Sequence, residues 1–350
     1  MTSTEMVTGV RMPAVGGVVR PTDPAAFVYV MRDDSGYIAR EFADRLGAAG
    51  AEPDIRAEYA TFLAGLYAAF AAAAAPRGPL ELHVYLAEDI EAARASLIAP
   101  GHRVVALDPL CQTPGAVHLG LSRWYKPGGW EPAGEGARPG FPAMEAQISR
   151  LAVVMRNSPV ALVEDDTYTG ETLIGTARQL RAAGIDVRQL VVGIRICQEE
   201  LAVEGAAISA AVRYELDPGR PVGEQIDLGD PRDYLIGLSG LVILMGMDGD
   251  RPVLGRAPYL LPFVQPSERA SLPAESDWEL SRTVLRLAGE FYARVGSRLG
   301  RPVLLRHCDP EFAAFVRHYL GMEPDIPMTD LVSQVLAGAE SIAEMFFGDR

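Results

Sequence analysis

Between residues 160 and 173 the chain reads VALVEDDTYTGETL. The apolar run from Pro159 to Val163 predicts a buried strand, and a polar turn is expected over residues 164–172. In α/β sheets, ligands bind at the carboxyl ends of the strands, where Glu164 and Asp165 stand here. A helical pattern follows from Leu173 to Ala183, and the backbone N–H groups at a helix start bind anions. The carboxylates can bind hydroxyl groups, and the helix start can bind a phosphate. A ribose 5-phosphate carries both kinds of group.

This segment resembles the phosphoribosyl pyrophosphate (PRPP) motif of the type I phosphoribosyltransferases, in which an acidic pair precedes a TGxT loop. Thr169 to Thr172 match that loop, and Tyr168 departs from the small residue or threonine usual before it. The resemblance implies that Glu164 and Asp165 are catalytic residues that contact the ribose hydroxyls. It implies that the 5-phosphate loop consists of Asp166, Thr167, Tyr168, Thr169, Gly170, Glu171 and Thr172.

Two other interpretations of the segment stay open. The string LVEDD also occurs in response-regulator receiver domains, where the acids bind magnesium, but there it lies near the N-terminus of the domain. A helix with an acidic first turn and a threonine cap would explain one acid and one hydroxyl through the helix dipole. It would leave the long polar run with its glycine unexplained.

An earlier strand, Ala26 to Met31, ends in a polar turn before a helix over residues 37–49. In the family that the chain resembles, a turn at this place binds pyrophosphate. The resemblance thus implies a pyrophosphate site made of Arg32, Asp33, Asp34, Ser35 and Gly36. Asp33 and Asp34 are the predicted ligands of Mg²⁺, partly through water. A plain strand-to-helix turn capped by Asp or Ser is the alternative.

A segment rich in Gly and Pro runs from Leu121 to Pro142 and contains Lys126, the only lysine of the chain. Long segments of this composition between regular elements are typically functional loops or linkers. We expect a flexible loop that closes over the substrate, with Arg123 binding pyrophosphate and Lys126 acting as a catalytic cation. A surface loop with an incidental lysine is the alternative.

Alternating strands and helices predict an α/β fold with a parallel sheet flanked by helices, a type I phosphoribosyltransferase-like core. We place this core at residues 26–205, after an N-terminal extension at residues 1–25. Residues 206–350 are expected to form a mixed or helical C-terminal part that acts as hood and acceptor region. The expected elements of this part are a hairpin over residues 241–254 and helices over residues 278–299, 310–320 and 330–347.

Two segments of the C-terminal part, residues 227–233 and 251–263, are expected to meet the acceptor because they lie beyond the core. The triplet His307-Cys308-Asp309 resembles a nucleophile or metal cluster. Adjacent residues on a strand point to opposite faces, however, so we interpret the triplet as structural.

The composition limits the functional classes. The chain has 350 residues, and its hydrophobic content of 49% excludes a disordered protein. Its net charge of −14 disfavours nucleic acid as a partner, because the phosphate backbone is also negative. Three widely spaced cysteines favour a reduced protein without structural zinc. The N-terminus lacks a signal-peptide pattern, and the most apolar stretch, residues 235–247, is too short for a membrane span, so we expect a cytoplasmic protein.

The sequence therefore predicts a Mg²⁺-dependent glycosyltransferase that moves 5-phosphoribosyl from PRPP to a small-molecule acceptor and releases pyrophosphate. Salvage enzymes of nucleotide metabolism in this family are usually shorter, which points to a less common acceptor in specialised metabolism. A homodimer is left open. The alternative from another class is a non-catalytic regulatory protein that senses PRPP or a nucleotide with the same fold.

Overall fold

The computed structural model describes residues 18–19, 23, 25–167, 169–195, 203, 209–216 and 225–348. Its strands are β1 (Val18–Val19), β2 (Phe27–Asp33), β3 (Leu80–Leu86), β4 (Arg103–Ala106), β5 (Val117–His118), β6 (Leu121–Tyr125), β7 (Pro132–Ala137), β8 (Val160–Thr167), β9 (Val187–Arg195), β10 (Ser209–Leu216), β11 (Gln225–Asp227), β12 (Leu241–Asp248) and β13 (Arg251–Ala257). Its α-helices are α1 (Ser35–Arg45), α2 (Glu52–Ala74), α3 (Ala87–Leu97), α4 (Met144–Val154), α5 (Glu171–Ala182), α6 (Pro266–Ala270), α7 (Asp277–Leu299), α8 (Pro310–Leu320), α9 (Met328–Ala337) and α10 (Ala339–Phe347).

Within the described residues, the strands form three sheets. The large sheet has the order β1-β10-β9-β8-β4-β5 and is parallel throughout. A small sheet, β11-β2-β3, is also parallel, whereas the mixed sheet β13-β12-β6-β7 contains two antiparallel hairpins. The prediction of an α/β protein with a parallel sheet flanked by helices is confirmed.

The strand β8 extends further than the sequence predicts. Residues 160–163 are fully buried, and pairing with β9 continues through Glu164, Asp166 and Thr167. The expected polar turn over residues 164–172 is therefore wrong in its first half, because backbone pairing to a long neighbour strand holds the acidic residues extended.

The small sheet packs against the large sheet through helix α3. Val28 and Val30 of β2, Tyr85 of β3, Ile90 of α3 and Ile194 of β9 form one buried apolar cluster. Apolar contact of this kind fixes the two sheets relative to each other. As a result, the carboxyl end of β2 lies beside that of β8, although the two strands belong to different sheets.

The segment from Leu121 to Pro142 contains a β-hairpin, not the expected loop. The glycines of β7 make room for an aromatic ring. A Cβ atom on Gly136 would lie 2.6 Å from the indole of Trp124, closer than real Cβ contacts allow. Glycine in a strand marks close approach of a neighbour, so the composition that suggested a loop here serves side-chain packing.

Residues on both sides of the predicted boundary at 205 belong to the same sheets and to the same apolar core. The strands β10 and β11 follow residue 205, yet they pair with β9 and β2. Helices α1 and α2 contribute to the same apolar core as α7, α8 and α9. The predicted hairpin of β12 and β13 is confirmed, and the predicted helix over residues 330–347 is divided into α9 and α10 at Gly338. The predicted domain limits stay predictions.

The triplet His307-Cys308-Asp309 makes local structural contacts. The Nδ1 atom of His307 accepts a hydrogen bond from the backbone N–H of Leu304 at 3.0 Å. Cys308 is a buried free thiol. The Asp309 carboxylate accepts the N–H groups at the start of α8 and caps that helix.

Helix α2, with the short turn that follows it, is long and apolar enough to cross a membrane by length and composition. In the fold, α2 packs against α1 and α7, and its buried side chains belong to the main core. Core helices of globular proteins pass the same test, so the helix is weak grounds for a membrane segment.

A substitution at Phe291 of α7 measures how much the packing between the N-terminal and C-terminal helices contributes to stability. The Phe291 ring is fully buried and contacts Phe42, Tyr59 and Phe62 of α1 and α2 at centroid distances of 6.1, 6.1 and 6.4 Å. We expect Phe291→Ala to lower the free energy of unfolding by about 3–5 kcal/mol in urea denaturation, because it leaves a cavity in the shared core. Val153→Ala, at a side chain that is 68% exposed, is the control and should change stability little. Equal stability of the two variants would contradict the shared core.

Candidate functional site

The carboxyl end of β8 presents three consecutive carboxylates, and the guanidinium of Arg32 lies among them. Arg32 forms ion pairs with Asp165, with Asp166 at 3.5 Å and, through Nε, with Asp230 at 3.1 Å. Its side chain is only 6% exposed. The residue predicted to bind pyrophosphate is thus held by the acidic residues, and its role toward an anion stays a prediction.

The loop after β8 closes a small cavity at the start of helix α5. Gly170 has a φ of 77°, in the left-handed region that favours glycine, and α5 begins at the next residue. The cavity measures about 290 Å³. It is lined by Arg123, Glu164, Asp165, Asp166, Thr167, Thr169, Gly170, Glu171, Thr172 and Leu173. Tyr168, the remaining residue of the predicted loop, lies outside the described residues.

Arg123 lies over this small cavity. Its guanidinium donates a hydrogen bond to the Thr172 hydroxyl at 2.8 Å and lies 3.7 Å from the Glu171 carboxylate. The side chain is 48% exposed. A cation beside the start of a helix adds positive potential where backbone N–H groups already face outward. The structure thus brings Arg123 to the predicted 5-phosphate loop, while its predicted contact with pyrophosphate is untested.

Lys126 lies at the tip of the β6–β7 hairpin. Its ammonium forms an ion pair with Glu131 of the same hairpin, and 57% of the side chain is exposed. It is not among the residues that line the small cavity or the larger cavity described next. The structure does not bring Lys126 together with Glu164 and Asp165, and its catalytic role stays a prediction.

A larger cavity of about 490 Å³ opens on the other side of Glu164 and Asp165, the two residues that line both cavities. Its wall is built by α1, the segment after β7, the turn after β11, and the ends of β13 and α8. The charged side chains of this wall are Glu41, Arg45, Arg138, Asp230, Arg232, Asp233, Arg256, Asp309 and Glu311.

The two segments expected to meet an acceptor both reach the larger cavity. Residues 227–233 supply Asp230, Arg232 and Asp233, and residues 251–263 supply Arg256. No sequence pattern places Arg138, which directly follows β7, or the start of the predicted helix α8 at this cavity. Their places depend on how the mixed sheet packs, and no local motif announces them.

The acidic pair has an unusual electrostatic setting. Burial and the nearby Asp108 raise the pKa of Glu164 to about 8, and Arg138, Arg94 and Arg32 only partly oppose the shift. Asp108 is itself buried in an ion pair with Arg94 at 2.8 Å. A carboxyl group of this kind is mainly protonated near neutral pH, so it donates as well as accepts hydrogen bonds.

The turn predicted to bind pyrophosphate is closed by protein contacts. The Asp33 carboxylate accepts the backbone N–H of Ser35 at 2.9 Å, and Asp34 accepts the Tyr59 hydroxyl at 2.8 Å. Asp34, Ser35 and Gly36 are buried. Their predicted contact with pyrophosphate therefore requires this turn to open.

The same contacts bear on the predicted metal ligands. Burial, and next the charge of Asp230, raise the pKa of Asp34 well above its ordinary value. Mg²⁺ takes ionised, accessible oxygen ligands, so the buried Asp34 does not fit a direct metal ligand. The role of Asp33 toward Mg²⁺ stays a prediction. In the part of the chain that the structure describes, no group of three or more His, Cys, Asp or Glu side chains is arranged to hold a metal.

Glu164 gives the site a measurable pH dependence. Its pKa is about 8 against an ordinary value of 4.5, so the folded state holds the proton more tightly than the unfolded state. The contribution of this group to the free energy of unfolding is fully present below about pH 4.5 and is lost as the pH rises through about 8. Glu164→Gln stays neutral at every pH. We expect its free energy of unfolding to fall less than that of the wild type between about pH 5 and about pH 9 in urea titrations.

Glu145→Gln, at an exposed residue of α4, is the matched control and should keep the pH dependence of the wild type. If Glu164→Gln and the wild type lose stability in parallel across this range, the raised pKa of Glu164 is contradicted.

Comparisons of the chain with protein-family models, with curated proteins and with solved structures give no match. No family is therefore shown for the chain. Its function has to follow from the two cavities and the acidic residues between them.

Proposed function

We propose that the protein transfers a 5-phosphoribosyl group from PRPP to a small nucleophilic acceptor and releases pyrophosphate. The observation that carries this proposal is the position of Glu164 and Asp165 between two cavities. One cavity ends at a helix start rich in hydroxyl and N–H donors, and the other is larger and lined by charged side chains.

The small cavity suits the 5-phosphate. Thr167, Thr169 and Thr172 line it, and the N-cap residue Gly170 has no side chain to cap α5. The Glu171 N–H donates a long hydrogen bond, 3.4 Å, to the Thr169 hydroxyl. Helix starts of this kind bind phosphate through N–H donors and the helix dipole. With the phosphate there, the ribose lies over Glu164 and Asp165, and its C1 atom faces the larger cavity.

The acidic pair suits the ribose hydroxyls. Asp165 accepts hydrogen bonds, and the largely protonated Glu164 both donates and accepts them. Two vicinal hydroxyls, each a donor and an acceptor, complement this pair. Fixing the ribose in this way holds C1 in place for attack from the larger cavity.

In the proposed reaction the bond between C1 and the pyrophosphate oxygen breaks, and its electron pair leaves with pyrophosphate. The acceptor forms the new bond to C1 and loses a proton. Mg²⁺ bound to PRPP would neutralise the leaving pyrophosphate, and the protein supplies the position of both reactants. Polar groups that the fold already holds in position stabilise developing charge without having to reorganise.

Calorimetric titration with PRPP and Mg²⁺ tests the binding site. We expect saturable binding to the wild type, weakened at least about tenfold by Asp165→Asn, because a carboxylate that accepts from a ribose hydroxyl is lost. Thr172→Val should weaken binding several-fold by removing a hydroxyl from the 5-phosphate loop. It also leaves the ion pair of Arg32 with Asp165 intact.

Asp248→Asn, at the exposed tip of the β12–β13 hairpin, is the matched control and should bind PRPP like the wild type. Circular dichroism of each variant checks that it is folded. No binding at millimolar PRPP would overturn the proposal and leave the segment as an acidic helix start.

Release of pyrophosphate separates a transferase from a PRPP sensor. We expect release from PRPP in the presence of one member of a panel of amines, nucleobases and carboxylic acids, and loss of release in Asp165→Asn. Binding of PRPP without release in any reaction would contradict turnover and favour the regulatory alternative.

A further inference from the structure

The arginines of the larger cavity fall into two groups. Arg45 pairs with Glu41 at 2.6 Å, and Arg232 pairs with Asp230 at 2.9 Å. These two guanidiniums have hydrogen-bonded carboxylate partners and are occupied by the protein itself. Arg138 and Arg256 differ from them.

Arg138 faces the cavity without an ion-pair partner among the described residues. Its side chain donates to the backbone carbonyl of Leu107 at 3.2 Å, and it is half-buried. Burial lowers the pKa of Arg138, and the positive charges of Arg256 and Arg232 lower it further, whereas the charges of Glu164 and Asp108 oppose the shift. An anion bound between Arg138 and Arg256 would offset the repulsion between their positive charges.

Arg256 is only loosely paired. Its Nε atom lies 3.7 Å from the Oδ1 atom of Asp309, beyond hydrogen-bond distance. That same Oδ1 already accepts the backbone N–H groups of Glu311 and Phe312 at 3.1 and 3.0 Å. Arg256 also donates a long hydrogen bond, 3.4 Å, to the Ser239 hydroxyl. Its charge partly opposes the raised pKa of the nearby Glu311 carboxyl.

We propose that Arg138 and Arg256 form a subsite in the larger cavity for the phosphate or carboxylate oxygens of a bound anion. Planar guanidiniums match such oxygens in pairs. The identity of the ligand rests on the proposed function: with the 5-phosphate in the small cavity, the anion belongs either to the pyrophosphate of the donor or to an acceptor that carries a carboxylate. In the first case the subsite holds the group that leaves C1, and in the second case it holds the acceptor that attacks C1.

The test uses inorganic pyrophosphate, with and without Mg²⁺, and malonate as separate calorimetric probes, so it does not depend on PRPP binding. We expect at least one probe to bind the wild type, and its affinity to be at least about tenfold lower for Arg138→Gln and for Arg256→Gln. Arg188→Gln, at an exposed side chain at the amino-terminal end of β9, is the control and should bind like the wild type.

Each outcome decides something. Loss of pyrophosphate binding assigns the subsite to the leaving group of the donor, and loss of malonate binding assigns it to an acceptor carboxylate. Arg138→Lys keeps the charge but loses the paired geometry, so intermediate binding is expected, and this variant decides if Arg138→Gln does not fold. Failure of both probes to bind at millimolar concentration, or equal binding in all variants, would overturn the subsite. If PRPP itself does not bind while the Arg138-dependent anion site remains, only the proposed function falls.

Discussion

The buried guanidinium of Arg32 is the constraint on which the site depends. It comes from the small sheet and pairs with Asp165 and Asp166 of the large sheet and with Asp230 of the turn after β11. A buried charge is tolerated only with partners, and removing one member of such a network typically costs about 3–5 kcal/mol. The network thus holds the carboxyl ends of two separate sheets at one place. Strand pairing with β9 places the acidic pair, and the ion pair with Arg32 connects Asp165 to the small sheet.

The arginines of this region differ in whether a carboxylate lies at hydrogen-bond distance from the guanidinium, and this difference separates their roles. Arg32 and Arg232 are surrounded by carboxylates at hydrogen-bond distance and act as internal ties. Arg138 and Arg256 line the same cavity with carbonyl, hydroxyl or distant carboxylate contacts. Nearly all cations of this chain are arginines, so residue type does not distinguish the two groups. The two groups of arginines differ only in the contact partners that the fold places beside them.

Local patterns predicted the elements better than their pairing. The buried run of β8, the hairpin of β12 and β13 and helix α8 follow from periodicity and turn signals within the segment itself. The separate sheet of β2 and the extension of β8 through Glu164 depend on distant strands. The hairpin β6–β7 depends on an indole packed over glycine. For the site, the motif predicted the acids and the loop, which are contiguous, and missed Arg138, whose place is set by tertiary packing.

The structural and proposed binding roles of Asp165 are compatible on chemical grounds. A carboxylate offers two oxygens with about four acceptor positions. Arg32 contacts the Oδ2 atom of Asp165, and the Oδ1 atom accepts the backbone N–H of Asp166 at 2.7 Å. Arg32 also has Asp166 and Asp230, so three carboxylates surround one positive charge, and Asp165 keeps capacity for a hydroxyl donor. Glu164 complements it, because a mainly neutral carboxyl adds no further negative charge to this group at neutral pH. A ribose can therefore bind at the carboxylates without breaking the ion pairs that hold the two sheets together.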